Sequence, residues 1–400
     1  MHVILYILLG LMAGSALAAS DPPSCSTSKS CPKEYPCCSE GTCDTGTYCL
    51  GGCDPRMSYS LDACTPKAVG QDRTFSWSNL DNAALNTKYL GNASESDWEY
   101  SGSPKLKDGN IILTMPQNSV GTLVSSTHYM WYGKIAADVK SSRGKGVVTG
   151  FILMSDVKDE IDFEWVGSDL ENVQTNFYFQ GITNYTNGDT LPTSDNTYSS
   201  WHHYEIDWTP QAIKWSVDGT VKRTLTKKST WNATANRYEY PQTPSRMQLS
   251  LWPAGRASNA QGTIDWAGGQ IDWNAADIRD HGYYSASFAN ITMKCYDPPA
   301  GSGDGHRSYA YLDKKGLESS VLVTNSNTVL PDMGHTGLNM GTGNSSSSTG
   351  SDSGDGPSTT STSSKSDSTE FVQYANNAPG QVPRNVWLAA VVLIFSMIIS

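Results

Sequence analysis

Positive charge, helical periodicity and scattered cysteine are what this chain of 400 residues has little of. Lysine and arginine number 28 against 39 aspartates and glutamates, for a formal charge of −11. Nucleic acid and anionic lipid attract the opposite sign, so neither is an expected partner. A neutral polysaccharide remains open. Between residues 68 and 296 apolar residues rarely recur at helical spacing, and short β-like runs are punctuated by Gly, Asn, Asp and Ser. That pattern points to an all-β sandwich. Past Cys64 there is a single cysteine, Cys295. Aromatic residues are plentiful instead: 12 tryptophans and 20 tyrosines, within a hydrophobic content of 38% that suffices for at least one good core. Such rings suit a chain that stacks sugars, although they more often fill cores than platforms.

The chemistry is concentrated in Asp159-Glu160-Ile161-Asp162-Phe163-Glu164-Trp165, where charged and apolar residues alternate with the period of a half-buried strand. Glu160, Asp162 and Glu164 therefore share one face, while Ile161, Phe163 and Trp165 enter a core. Three carboxylates on one strand face repel one another, so folding alone does not account for them. Glycoside hydrolysis uses two carboxyl groups astride the scissile bond, about 5–5.5 Å apart for direct attack and about 6.5–9.5 Å when a water intervenes. Residues four apart on a strand have Cα atoms roughly 13 Å apart. Side chains bending together close part of that gap, so spacing leaves the stereochemical outcome open. Asp162, between the two, can hydrogen-bond a nucleophile while its charge raises a neighbour's pKa. A solvated acidic rim and a carboxylate Ca²⁺ site compete with this reading, and alignment over a buried aromatic face weighs against both. No metal or cofactor is expected.

These residues resemble the active-site strand of glycoside hydrolase family 16, and the Asp-Glu-Ile-Asp-x-Glu form is similar to the fungal Crh cell-wall transglycosylases. The resemblance implies a concanavalin-like β-jelly-roll sandwich, with Glu160 as nucleophile, Asp162 as its assistant and Glu164 as general acid/base of a retaining mechanism. It also implies chitin as donor and β-glucan as acceptor, crosslinked by transfer. The alternatives are a β-glucan endo-hydrolase and a non-catalytic wall lectin on the same fold. A monomer is expected.

Candidate strands lead into this stretch at residues 74–80, 111–115, 129–140 and 147–154. After it, residues 174–179 place Gln174, Asn176 and Tyr178 on one face beside the catalytic strand. Residues 201–208 and 213–217 make two strands, the second ending at an Asp218-Gly219 hairpin. The adjacent His202 and His203 point to opposite faces, one core and one rim. Residues 246–255 form another strand, in which Trp252 is either a sugar platform or packing alone. The Crh resemblance assigns donor-sugar contacts here and at residues 262–266. Trp252 and Thr263 are therefore candidate substrate contacts, with Arg246 a weaker one.

Eight of nine cysteines lie between Cys25 and Cys64. In a secreted chain such density reads as a disulfide framework, with zinc as the other option, and spacing does not fix the pairing. Cys37-Cys38-Ser39 with Tyr48-Cys49 is similar to hevein-like chitin-binding modules. That resemblance implies the pairs Cys25–Cys38, Cys31–Cys43, Cys37–Cys49 and Cys53–Cys64, with N-acetylglucosamine held by Ser39 and Tyr48. No aromatic residue stands between Cys38 and Cys43, where the hevein pattern has them, so chitin binding and a purely structural cap stand level.

The first 19 residues carry an apolar run and Ala16-Leu17-Ala18, the layout of a secretory signal. An apolar run from residue 386, preceded by a spacer and Asn376-Asn377-Ala378, has the layout of a GPI-attachment signal with Asn377 as the attachment residue. Sequons stand at Asn92, Asn184, Asn232, Asn290 and Asn344. Residues 344–368 are rich in Ser, Thr, Gly and Asp and read as a disordered stalk. The expected organisation is a signal at 1–19, a Cys-rich module at 20–66, a catalytic domain at 67–297, a linker and stalk at 298–377, and an attachment tail at 378–400. Secretion to the cell wall and the outer face of the plasma membrane follows.

Overall fold

The computed structural model describes residues 22–184 and 186–340. The signal, the stalk at 344–368, Asn344 and Asn377 lie outside the described residues.

Residues 22–66 form a small head. Its hairpin, β1 (Cys37–Ser39) and β2 (Thr42–Asp44), turns at Glu40-Gly41, where φ is 49° and 77°. Two left-handed residues in a two-residue loop match the right-handed twist of the strands. Disulfides join Cys25 to Cys38, Cys31 to Cys43, Cys37 to Cys49 and Cys53 to Cys64, the pairing given above. The Cys25, Cys31 and Cys43 sulfurs lie within 4.8 Å of one another, yet each is held in a disulfide and none is a thiolate for zinc. Cys295 is a free, half-buried thiol, pushed up to about 12 by burial.

The rest is a sandwich of two mainly antiparallel sheets. Its strands are β3 (Lys67–Val69), β4 (Trp98–Ser101), β5 (Asn110–Pro116), β6 (Thr122–Met130), β7 (Gly133–Lys140), β8 (Val147–Ser155) and β9 (Glu160–Val166). They continue with β10 (Asn172–Tyr178), β11 (Asp189–Pro192), β12 (His202–Trp208), β13 (Ala212–Val217), β14 (Thr220–Thr226) and β15 (Ser245–Pro253). Two short helices, α1 (Gln261–Trp266) and α2 (Ala276–His281), precede the long β16 (Tyr283–Cys295). One sheet runs β14-β13-β12-β7-β16-β5, and the other begins β11-β10-β9-β8-β15-β6-β3. Such an all-β jelly-roll agrees with the fold expected from the sequence.

Three expectations give way. Residues 129–140 are not one strand: Tyr132, at φ 68°, turns the chain from β6 in one sheet to β7 in the other. The consecutive Trp131 and Tyr132 are both buried, against Tyr309 at 5.8 Å and Trp208 at 4.6 Å. A straight strand alternates its faces and cannot send both rings into one core. Of residues 74–80 only Thr74, with Arg73, pairs with β16. Phe75 and Trp77 instead pack around Trp98 at 4.7 and 5.4 Å.

The third correction moves a domain boundary. Residues 298–340 are not a linker: β17 (Ser308–Tyr311) pairs with β3, and β18 (Val321–Thr324) pairs with β17, extending the second sheet. The chain then crosses the head, where Leu330 joins Cys37, Cys49, Cys53, Leu50 and Tyr89 in one buried cluster. Gly46 donates to His335 at 2.9 Å, and a Cβ on Gly337 would meet Asp62 O at 2.1 Å. Head, sandwich and strap thus share a core.

β9 lies inside the second sheet, between β8 and β10. Ile161, Phe163 and Trp165 enter the main core, and Phe163 meets Tyr204 at 5.3 Å. Trp165 Nε1 donates to Tyr204 OH at 3.1 Å, and Trp215 Nε1 donates to the Asp162 carbonyl at 3.0 Å. Burying rings of this size stabilises by about 1.5–3 kcal/mol each, so the strand is anchored by the face opposite its carboxylates.

Candidate active site

With alternate residues anchored below, Glu160, Asp162 and Glu164 emerge on the other face of the sheet. Strand register extends each into a row. Glu160 stands beside Tyr178 and Met154, Asp162 beside Asn176 and Ile152, and Glu164 beside Gln174 and Gly150. On β15 these rows continue at Arg246, Gln248 and Ser250, and on β6 the last two reach Ser125 and Leu123. The structure therefore brings together the three carboxylates and the expected Gln174, Asn176 and Tyr178.

Burial governs their protonation. Asp162 is 1% exposed and neither carboxylate oxygen makes a hydrogen bond of normal geometry. Desolvation pushes its carboxyl up to about 7, with the Arg223 charge and the backbone N–H of Asn176 pulling it back. For Glu164 burial comes first, then the charges of Asp162 and Glu160, and all three hold the carboxyl well above the usual range. Both causes favour the protonated form of Glu164, the form that can give a proton. Tyr178, buried near all three carboxylates, is raised as well and accepts from Asn176 Nδ2 at 2.9 Å.

Asp159 has a different task, which sequence reasoning missed. It shares the parity of Ile161 and Phe163 and so points to the core side; an acid at a buried parity was the signal that could have revealed it. Its oxygens accept from Gln180 N at 2.9 Å, Gln242 N at 2.9 Å, Thr243 N at 3.1 Å and Thr243 Oγ1 at 2.7 Å. The chain entering β15 and the chain leaving β10 are thereby pinned to the start of β9. Burial outweighs those bonds and lifts the Asp159 carboxyl to about 6.

The expected substrate contacts divide. Trp252 shares the open face, stacks on Trp266 at 6.1 Å, and its buried Nε1 has no partner. Trp266 is half-exposed and donates to Gln174 Oε1 at 2.7 Å, which ties α1 to the Glu164 row. Thr263 is 1% exposed within α1, so a sugar arriving from solvent meets Trp266 first. Arg246 is buried with its guanidinium on the Glu99 carboxylate and against Gly51 of the head. His202 is buried and His203 exposed, as their opposite faces required. Of the sequons, Asn184 and Asn290 are exposed and Asn92 and Asn232 half-buried. The amide nitrogens of Asn232 and Asn290 donate to Glu239 at 3.1 Å and Asp138 at 2.5 Å.

Comparison with known proteins covers this same region. Residues 92–268, from just before β4 to the end of α1, match the glycosyl hydrolases family 16. Crh-like protein 2 of Aspergillus fumigatus is 63% identical over 345 residues, 85% of this chain and 78% of that protein. Congo red hypersensitive protein 2 of Saccharomyces cerevisiae is 43% identical over 329 residues, 81% of this chain and 70% of that protein. Among solved structures, Crh5 transglycosylase in complex with NAG superposes with a TM-score of 0.55 at 30% identity, over 68% of this chain and 99% of that chain. The chain belongs to the Crh-like proteins of glycosyl hydrolases family 16, and it is a glycoside hydrolase or transglycosylase.

Proposed function

We propose that this enzyme is a retaining transglycosylase of the fungal cell wall that cleaves chitin and transfers the glycosyl chain to β-glucan. Glu160 attacks the anomeric carbon of the donor, forming a C–O bond as the glycosidic bond breaks. Glu164 gives its proton to the departing oxygen. In the second half-reaction an acceptor hydroxyl attacks the same carbon, its proton passes to Glu164, and the Glu160 carboxylate is released. Asp162, between them, raises Glu164 through its charge. The observation that carries this reading is the geometry of β9, which sets Glu160, Asp162 and Glu164 on one strand face; burial first and the two neighbouring charges second raise the Glu164 carboxyl, which suits it to donate first and accept second. The name transglycosylase borne by one relative favours a sugar over water as acceptor, and its NAG complex supports an N-acetylglucosamine polymer as donor. Ser39 and Tyr48 of the head are the proposed chitin contacts there, and Trp252 the proposed contact on the sheet side, with Thr263 buried in α1 and Arg246 held on Glu99. A secretory signal at 1–19 and GPI attachment at Asn377 would hold the enzyme at the outer membrane face and wall.

The test is Glu160→Gln, assayed by mass spectrometry of products from a labelled chitin oligomer with and without a glucan acceptor. Transfer falls by about a thousandfold or more while binding persists. Undiminished transfer removes Glu160 from the mechanism, and hydrolysis products alone with both substrates present make the enzyme a hydrolase.

A further inference from the structure

The head is set against the same sheet face that carries the carboxylates. The Gly52 amide donates to Asp156 Oδ1 at 2.8 Å, and Tyr129 OH donates to that oxygen at 2.8 Å. Lys67 Nζ donates to the Leu50 carbonyl at 2.6 Å and lies 3.6 Å from the Asp156 carboxylate. Glu40, at the tip of the β1-β2 turn, pairs with Lys158, two residues before Glu160. Lys314, in the connection between β17 and β18, donates to the Ser58 carbonyl at 3.0 Å. Buried charges that are paired on both sides of a contact fix its geometry, because separating them leaves one unpaired. The head is therefore seated, not tethered.

Between head and sheet lies a cavity of about 630 Å³, within the range of ligand sites. Ser39, Thr47 and Tyr48 line it from the head, and Gln248, Ser125 and Glu99 from the sheet. The sheet residues are not arbitrary: Gln248, Ser125 and Glu99 are successive members of the row that begins with Asp162 and Ile152. At about 4.8 Å per strand, the row reaches Gln248 and Ser125 roughly 10–15 Å from the catalytic strand.

We propose that head and sheet form one elongated polysaccharide site, in which a chain of N-acetylglucosamine residues passes along the Asp162 row and beneath the head, gripped by Tyr48 and Ser39 from above and Gln248 and Ser125 from below. This rests on the reaction assigned to the sheet face. The head then selects for chain length: a short oligomer fills the positions beside β9 without reaching Tyr48, and a long one occupies both.

The experiment measures kcat/KM on short and long chito-oligosaccharides for the full secreted protein, and reads the ratio of long to short. Tyr48→Ala lowers that ratio about tenfold, the value of one ring contact, and Tyr48→Phe restores it with an unchanged melting temperature. Gln248→Ala, on the opposite wall, lowers the ratio as well. The double variant loses less than the product of the two, because both act on one chain. An unchanged ratio in Tyr48→Ala, or effects of the two variants that multiply independently, overturns the shared site. That outcome leaves the catalytic reading standing, since activity on short chains and its loss in Glu160→Gln test it separately.

Discussion

In the head, half of the buried residues are half-cystines; in the sandwich, they are rings and branched chains, with Trp131, Trp165, Trp208 and Trp215 all at 1% exposure or less. A segment of some forty residues cannot bury enough apolar surface to stay folded alone, and crosslinks take the place of a core. The sandwich has enough interior to carry three neighbouring carboxylates on one strand face, Asp162 among them at 1% exposure, and remain folded. Stability surplus in one region thus supports chemistry, while the other contributes shape. A mutation in either should report which region it weakens.

The largest effect is expected from Phe163→Ala, which removes the ring beneath the carboxylates and costs about 3–5 kcal/mol. Thermal unfolding monitored by near-UV circular dichroism should drop sharply, with activity lost at the same temperature. Replacing Cys37 and Cys49 together by Ser should cost about 2–5 kcal/mol, but the loss should fall first on the head. Limited proteolysis would cut within residues 22–66 while the sandwich persists. Simultaneous loss of both would mean that the shared cluster around Leu330 couples them more tightly than the disulfides separate them.

A smaller and more specific effect concerns pH. Asp162 titrates near 7 in the folded chain and near 3.9 when unfolded. The native state therefore holds a proton that the unfolded state has released, and this group's contribution to stability falls as pH rises from about 4 to about 7. Asp162→Asn should flatten that decline, measured by denaturant unfolding across the range, and leave the head's sensitivity to reducing agent unchanged. A slope identical to wild type would place the titration elsewhere, with Glu164, whose carboxyl burial and Asp162 raise together, and then Asp159, at about 6, as the next residues to replace.

The strand β9 and the facing of its carboxylates were legible because its alternation is local: each residue declares its face by its own polarity. The hairpin at Asp218-Gly219 was legible for the same reason, with both residues at positive φ. What stayed hidden joins distant positions. β17 and β18 are short strands of four residues each, unremarkable in sequence and ordered by pairing with β3. The seat of the head draws on residues near 50, 67, 129, 156 and 246, and no local pattern announces a buried ion pair between such partners. Arg246 shows the limit most plainly: chemistry made it a candidate for sugar, while its place in the fold matched it to Glu99.

The strap gives the molecule a mechanical polarity. Met340 packs against the cluster that holds Cys37, Cys49 and Cys53, but no disulfide ties the strap to the head, so a pull on the chain beyond it peels residues 325–340 away and enters the sandwich through β18. That strand stands at the far edge of the sheet, with β17, β3, β6, β15 and β8 between it and β9, and the carboxylate geometry is the last to feel the strain.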